Sequence, residues 1–112
     1  MKKIAILGAA ESGVGAAILA QKQGYDVFVS DMGTIKSHYK NMLNEHGINW
    51  EEGQHSSEKI LDASEIIKSP GIPDNAPIVA QAIQLGIHII NEIEFAGRYT
   101  NAKMICIQIQ CF

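Results

Sequence analysis

The sequence predicts an α/β fold in which short buried strands alternate with helices. Apolar runs over residues 3–8 and 26–31 are typical of buried strands, and they flank a segment whose apolar residues recur at helical spacing. Three predicted helices end at a glycine shortly before the next strand, at Gly24, Gly47 and Gly86. This repeated connection is typical of parallel sheets with right-handed crossovers. We expect a Rossmann-like, mostly parallel sheet of five strands in the order 3-2-1-4-5, with helices on both faces.

The elements follow in order from local patterns. Ser12 is placed to cap a helix over about 13–23, and Asn75 to cap a later helix over about 76–85. The remaining elements are a helix over about 36–46, a weak strand over 48–50, a short helix from Ser56 or Ser57 to about Leu61, strands over 65–68 and 88–90, and a helix over about 92–99. The second helix is expected to carry Tyr39, Met42, Leu43 and His46 on one face. In the fourth helix, inward-facing side chains are expected at Ile78, Ala82 and Leu85.

Composition excludes several classes of protein. The 112 residues are 46% hydrophobic, which suffices for a core, and the net charge of −3 without a basic cluster argues against nucleic acid. We find no apolar segment of about 18 residues, so no membrane span is expected. Two cysteines without a signal peptide indicate reduced thiols and a cytoplasmic location. The four histidines lack the close pairing of a zinc site.

The C-terminal segment 103–112 has strong strand propensity and ends abruptly. We assign residues 1–100 to one ligand-binding domain and residues 101–112 to the start of a second, truncated domain. The alternative is a sixth strand that closes the same sheet. An unpaired strand here would also allow self-association, because exposed strand edges invite pairing.

A phosphate-binding turn is predicted between Gly8 and Gly13. Ala10 takes the place of the middle glycine of a dinucleotide fingerprint, and its methyl group disfavours a closely wrapped pyrophosphate. No lysine follows as in an ATP-binding P-loop. The backbone amides of Glu11, Ser12 and Gly13 remain as donors to an anion at the N-terminus of the helix, with the Glu11 carboxylate pointing to solvent.

Further candidates lie where the second and fourth strands end. Asp31 can accept hydrogen bonds from a ribose hydroxyl or a base N–H, and the amides of Met32 and Gly33 follow it. Ser69 and Gly71 lie on the opposite side of the same predicted crevice. Glu92 and Glu94 are interpreted as a charged first helical turn. We find no catalytic constellation, and no metal or cofactor site is predicted, so the residues favour a binding module.

Taken in order, these motifs resemble the MurD family of UDP-N-acetylmuramoyl-L-alanine:D-glutamate ligases over roughly residues 3–107. The resemblance rests on four segments: 6–13, Asp31, Ser69-Pro70-Gly71-Ile72, and 91–95. It implies the UDP-binding N-terminal domain of a cytoplasmic ligase of peptidoglycan precursor synthesis. In the full ligase, ATP and Mg²⁺ would be held by a central domain, whose nucleotide loop does not follow Ile107 here.

The resemblance also assigns roles to individual residues. Glu11 and Ser12 would offer amides to the diphosphate of UDP-N-acetylmuramoyl-L-alanine, Asp31 and Met32 would meet the uracil, and Gly71 would line the same cleft. It implies that this chain alone binds the substrate without catalysis.

Three alternatives stay open. The first is an NAD-binding Rossmann module of an oxidoreductase or sensor, which shares Gly8, Gly13 and Asp31. The second is a non-binding domain retained for assembly. The third is a precursor ligase that uses another amino acid, since the choice of amino acid lies outside these residues.

Overall fold

The computed structural model describes residues 2–99. The strands are β1 (Lys3–Leu7), β2 (Asp26–Asp31), β3 (Asn49–Glu52), β4 (Glu65–Lys68) and β5 (His88–Ile90). The helices are α1 (Glu11–Lys22), α2 (Ser37–Glu45), α3 (Ser57–Ile60), α4 (Pro77–Gln84) and α5 (Glu92–Tyr99). The predictions made for residues 101–112 lie outside the described residues.

The five strands form one sheet in the order β3-β2-β1-β4-β5, and every pair is parallel. β1 is central: Ile6 lies opposite Val29 on one side and Ile67 on the other. The predicted fold class and strand order are therefore confirmed. All five strands end at the same edge of the sheet, which is where ligands bind in open α/β folds.

Helices cover both faces of the sheet, because alternate residues of each strand point to opposite sides. Ile4 and Ile6 of β1 belong to a core cluster with residues of α1, α2 and α5. Ala5 and Leu7 belong to a second cluster, with residues of α3 and α4. No helix within residues 2–99 is long and apolar enough to cross a membrane.

Two predicted helix caps are wrong. α1 begins at Glu11 with Ala10 in the N-cap position and no side-chain cap, so Ser12 lies inside the first turn. α4 begins at Pro77 with Ala76 as N-cap, so Asn75 lies one residue too early. Proline is favoured at the first helical position because its fixed φ suits the helix and the missing N–H has no partner there.

The third strand and the inward-facing position predicted for Leu85 also differ from the structure. β3 runs to Glu52 because its pairing with β2 continues as far as Asp31 opposite Glu52. Leu85 follows the last residue of α4 and is 63% exposed rather than inward-facing. In α2 only Leu43 is buried, whereas Met42 is 38% exposed.

Candidate functional site

A cavity of about 800 Å³ lies at the carboxyl ends of the strands. Its walls come from the connections after β1 (Gly8, Ala9, Ala10), β2 (Asp31, Met32), β3 (Gly53, Gln54, His55, Ser57) and β4 (Ser69, Gly71, Ile72, Pro73), and from the start of α4. The strand order brings these connections together, because β1 lies between β2 and β4.

The turn after β1 is shaped by close backbone contacts. Gly8 has φ +104°, and its N–H donates to the carbonyl oxygen of Ser30 at 2.8 Å. Gly13 packs directly against this turn: a Cβ there would lie 1.9 Å from the carbonyl oxygen of Gly8. Glycine is thus required at position 13 for α1 to approach the strand end.

Asp31 connects two of the turns that border the cavity. Its Oδ2 accepts the N–H of Ala9 at 2.8 Å, and its Oδ1 accepts the N–H of Gly33 at 2.8 Å. A carboxylate has about four lone-pair positions, so each oxygen keeps acceptor capacity for a ligand. Asp31 therefore organises the site while still lining the cavity.

The first turn of α1 is oriented differently from the prediction. The amides of Glu11, Ser12 and Gly13 have no partners within the helix, yet these residues are not among those that line the cavity. The hydroxyl of Ser12 donates instead to Oε2 of Glu92 at 3.3 Å. Glu92 is buried at 8% exposure, so a carboxylate of the chain itself lies beside this helix end.

The structure brings together part of the predicted site. Four of the predicted residues line the cavity, namely Asp31, Met32, Ser69 and Gly71. The others, Glu11, Ser12, Gly13 and Gly33, lie outside its wall among the described residues. The ligand contacts assigned to all eight residues stay predictions.

Sequence reasoning missed a polar cluster between β3 and α3. The buried hydroxyl of Ser30 contacts Oε2 of Glu51 at 2.8 Å, the carbonyl oxygen of Gln54 at 3.0 Å and Nδ1 of His55 at 2.7 Å. Ser56 donates to Glu51 from its N–H at 2.7 Å and from its hydroxyl at 2.6 Å. The cluster fixes the loop that presents Gln54 and His55 to the cavity.

The environment shifts two titratable groups of this cluster. Burial raises the pKa of Glu51, but hydrogen bonds from Ser56 and Ser30 outweigh burial and hold that pKa below its ordinary value. Burial lowers the pKa of His55, against the opposing attraction of the Glu51 and Asp31 carboxylates. The cluster thus favours an ionised Glu51 beside a neutral His55.

The predicted strand order could have shown that the residues after β3 lie near the site. A strand predicted next to β2 must end at the same edge as Asp31, so the residues after it border the same crevice. The sequence interpretation ended that strand at residue 50 and treated the histidines as surface residues. Extending it to Glu52 brings His55 to the edge.

Lys68 stabilises the turn after β4. Its Nζ donates to the carbonyl oxygen of Ile72 at 2.6 Å and forms an ion pair with Asp74 at 3.3 Å. The Lys68 side chain is 15% exposed. The lysine therefore fixes the side of the cavity that carries Ser69 and Gly71.

ATP and Mg²⁺, which the resemblance implies for a full ligase, do not fit these residues. Within residues 2–99, no three His, Cys, Asp or Glu side chains are grouped to hold a metal ion. The turn between Gly8 and Gly13 lacks the lysine that contacts β- and γ-phosphates in P-loops. We therefore assign no step to either group in this domain.

Comparison with known proteins gives a consistent picture. A family model described as the MurD N-terminal domain matches residues 3–78. The UDP-N-acetylmuramoylalanine–D-glutamate ligase of Bacteroides fragilis is 61% identical over 107 residues, which are 96% of this chain and 24% of that protein. The Porphyromonas gingivalis ligase of the same name is 62% identical over 104 residues, 93% of this chain and 23% of that protein.

Solved structures show the same architecture. UDP-N-acetylmuramate-alanine ligase MurC from Thermotoga maritima matches with a TM-score of 0.69 at 25% identity, over 85% of this chain and 22% of that one. A pseudomurein peptide ligase type C from Methanothermus fervidus matches with a TM-score of 0.72 at 27% identity, over 89% of this chain and 21% of that one. The chain spans about a quarter of the length of the curated relatives named above.

Proposed function

Because this chain belongs to the family of MurD N-terminal domains, we propose that it holds the uridine diphosphate part of UDP-N-acetylmuramoyl-L-alanine. It would do so as the substrate-binding domain of a ligase that adds D-glutamate to this molecule in peptidoglycan precursor synthesis. The curated relatives carry the name of that ligase. The chain spans only their first quarter, so the reaction and its cytoplasmic location belong to the proposal.

One observation carries the proposal: the cavity at the carboxyl ends of β1, β2 and β4, with Asp31 in its wall. Ligand sites typically enclose about 300–1,000 Å³, and this cavity has about 800 Å³. The volume suits a nucleoside diphosphate. The acetylmuramoyl-alanine end would extend beyond the domain, so isolated binding should be weaker than in a whole ligase.

The diphosphate is assigned to the turn formed by Gly8, Ala9 and Ala10, near the N-terminus of α1. The N–H groups of Gly8 and Ala9 are already bonded to Ser30 and Asp31, so the donors would be the amides of the first turn of α1, where the helix dipole also favours negative charge. The buried Glu92 lies beside the same helix end and limits how closely phosphate approaches Ser12. The nucleoside is assigned to the wall that contains Asp31 and Met32, whose side chain is 61% exposed.

The NAD-binding alternative is less favoured. The methyl group of Ala10 lies where a dinucleotide fingerprint has its middle glycine, and Ala10 lines the cavity. The family match also points to a ligase domain. Catalysis would require the parts of the relatives that lie beyond this chain, so we expect binding without ligation.

Titration of the 112-residue chain with UDP, ADP and NADH tests the proposal. We expect UDP to bind most tightly by calorimetry and to shift the amide resonances of Ala9, Ser12 and Met32. Unchanged resonances at millimolar UDP, or tighter binding of NADH than of UDP, would contradict it. ATP-dependent formation of the amide product by this chain would contradict the assignment of catalysis to other domains.

A further inference from the structure

The hydrogen bonds of Ser30 determine which nitrogen of His55 carries a proton. The Ser30 hydroxyl has one proton and three partners: Oε2 of Glu51, the carbonyl oxygen of Gln54, and Nδ1 of His55. The carboxylate and the carbonyl can only accept. If Ser30 donated to His55, its oxygen would face both acceptors without a hydrogen between them. If His55 donates from Nδ1 to Ser30 instead, the hydroxyl proton is free for one of the two acceptors. Oε2 of Glu51 also receives the N–H of Ser56, so the Ser30 proton can go to the carbonyl oxygen of Gln54 and both acceptors then have a donor. We therefore assign the proton of His55 to Nδ1.

This tautomer leaves Nε2 of His55 as an acceptor. A neutral imidazole protonated at Nδ1 has a lone pair on Nε2. Within residues 2–99, Nδ1 is the only nitrogen of His55 with a hydrogen bond. No buried side-chain nitrogen or oxygen in that range lacks a partner, so Nε2 is accessible to solvent. His55 also lines the cavity, so its accessible nitrogen is a candidate contact for a ligand there.

Nε2 of His55 differs from the other acceptors nearby because it carries no negative charge and has no hydrogen bond within residues 2–99. Both oxygens of Asp31 already accept backbone amides. Glu51 accepts from Ser30 and twice from Ser56. A third carboxylate beside these two would repel a diphosphate, whereas a neutral imidazole accepts a hydrogen bond without adding negative charge.

We propose that His55 is a specificity-determining residue whose Nε2 accepts a hydrogen bond from the nucleoside of the bound nucleotide. The donor is either the imide N3–H of uracil or the 2′-hydroxyl of the ribose. An acceptor that meets the imide discriminates against cytosine and adenine, whose corresponding ring nitrogens are themselves acceptors. This inference rests on the proposed binding of uridine diphosphate.

Two substitutions at one position separate the roles of the two ring nitrogens. In His55→Asn the amide reaches the position of Nδ1, so contact with Ser30 is retained and the acceptor in the cavity is lost. In His55→Gln the amide reaches the position of Nε2. One hydrogen bond contributes about 0.5–1.5 kcal/mol, so we expect Kd for UDP to rise roughly three- to ten-fold in His55→Asn and to recover in part in His55→Gln.

Two analogues identify the donor. If the imide is the donor, N3-methyl-UDP should bind wild type and His55→Asn equally, whereas 2′-deoxy-UDP should keep the difference between them. If the 2′-hydroxyl is the donor, 2′-deoxy-UDP should bind wild type and His55→Asn equally, whereas N3-methyl-UDP should keep the difference between them. Calorimetry of the intact chain measures each affinity, and amide spectra check that both variants are folded.

The outcomes distinguish this inference from the function on which it rests. Wild type that fails to bind UDP overturns both. UDP binding by His55→Asn with unchanged affinity overturns the inference alone. A test that needs no variant is nitrogen NMR of the imidazole: protonation at Nδ1 in the free chain supports the inference, and protonation at Nε2 overturns it.

Discussion

At the scale of single residues, the polar side chains beside the cavity are bound mainly by the chain itself. Ser30 is fully buried and has three partners. Both oxygens of Asp31 hold backbone amides. Such groups are preorganised, since their orientation does not depend on the ligand, and little reorganisation is needed when a nucleotide enters.

Ser30→Ala should destabilise the domain by about 1–3 kcal/mol, because it removes partners from Glu51 and His55 in a buried setting. Urea unfolding measures the change. The control is Ser64→Ala, at an exposed position, which we expect to stay within about 0.5 kcal/mol of wild type. Equal effects of the two substitutions would show that the buried network adds nothing to stability.

Gly13→Ala should lower the free energy of unfolding by about 3 kcal/mol or more, because a Cβ would lie 1.9 Å from the Gly8 carbonyl oxygen. Gly15 in the same helix is a matched control, since a Cβ there meets nothing within 4 Å. Gly15→Ala should stabilise the domain by about 0.5–1 kcal/mol through helix propensity. Thermal unfolding of both variants decides the point, and a stable Gly13→Ala variant would refute the close contact.

Some single residues were predictable and others were not. Asp31 and Ser69 follow from the fold, because parallel strands end at one edge of the sheet. The bond between Ser12 and Glu92 joins residues 80 positions apart, and no local pattern encodes it. The same holds for Ser30 and His55, which are brought together only by the pairing of β2 with β3.

At the scale of elements, α5 is held against the sheet by polar and aromatic contacts. Glu65 of β4 accepts two hydrogen bonds from Arg98, and it also contacts Nδ1 of His88 at 3.0 Å. The hydroxyls of Tyr25 and Tyr99 are 2.6 Å apart. The guanidinium hydrogen bonds of Arg98 hold the pKa of Glu65 below its ordinary value, which outweighs the effect of burial.

Arg98→Lys should loosen α5 by about 1 kcal/mol or less, because lysine cannot reproduce the two-pronged contact with Glu65 and the pair is partly exposed. Hydrogen exchange of the α5 amides measures local opening. Lys22→Gln, an exposed position at the end of α1, serves as the control. Unchanged protection in Arg98→Lys would exclude a stabilising role for the pair.

The sequence predicts the elements better than their ends. Short apolar runs predicted the five strands, and their alternation with helices predicted the parallel order, because right-handed crossovers allow few arrangements. Helix starts depend on backbone contacts that local composition does not show, as the approach of Gly13 to Gly8 illustrates. Pro77 was an exception, since its preference for the first helical position could have identified the start of α4.

At the scale of the whole molecule, stability should fall as the pH is lowered. The pKa of His55 is lowered on folding, so below about pH 6.5 the unfolded chain binds more protons than the folded one. The pKa values of Glu51 and Glu65 are also lowered, which adds a further loss below about pH 4.5. The histidine and the two carboxyl groups therefore all lower the free energy of unfolding as the pH falls.

Urea unfolding at several pH values between about 7.5 and 4 checks this expectation. The free energy of unfolding should decrease in two stages, first with His55 and then with the carboxylates. His55→Asn should remove the first stage and keep the second. Stability that rises as the pH falls from 7 to 5 would contradict the assigned directions.

The two amides held by Asp31 have a consequence for inhibitor design. A small molecule that pulled this carboxylate away from Ala9 and Gly33 would give up two internal contacts in exchange for a new one. Compounds that extend across the opening toward Ser69 leave both hydrogen bonds of Asp31 in place. Inhibitor design should therefore leave Asp31 undisturbed and look for additional affinity in contacts on the Ser69 side of the cavity.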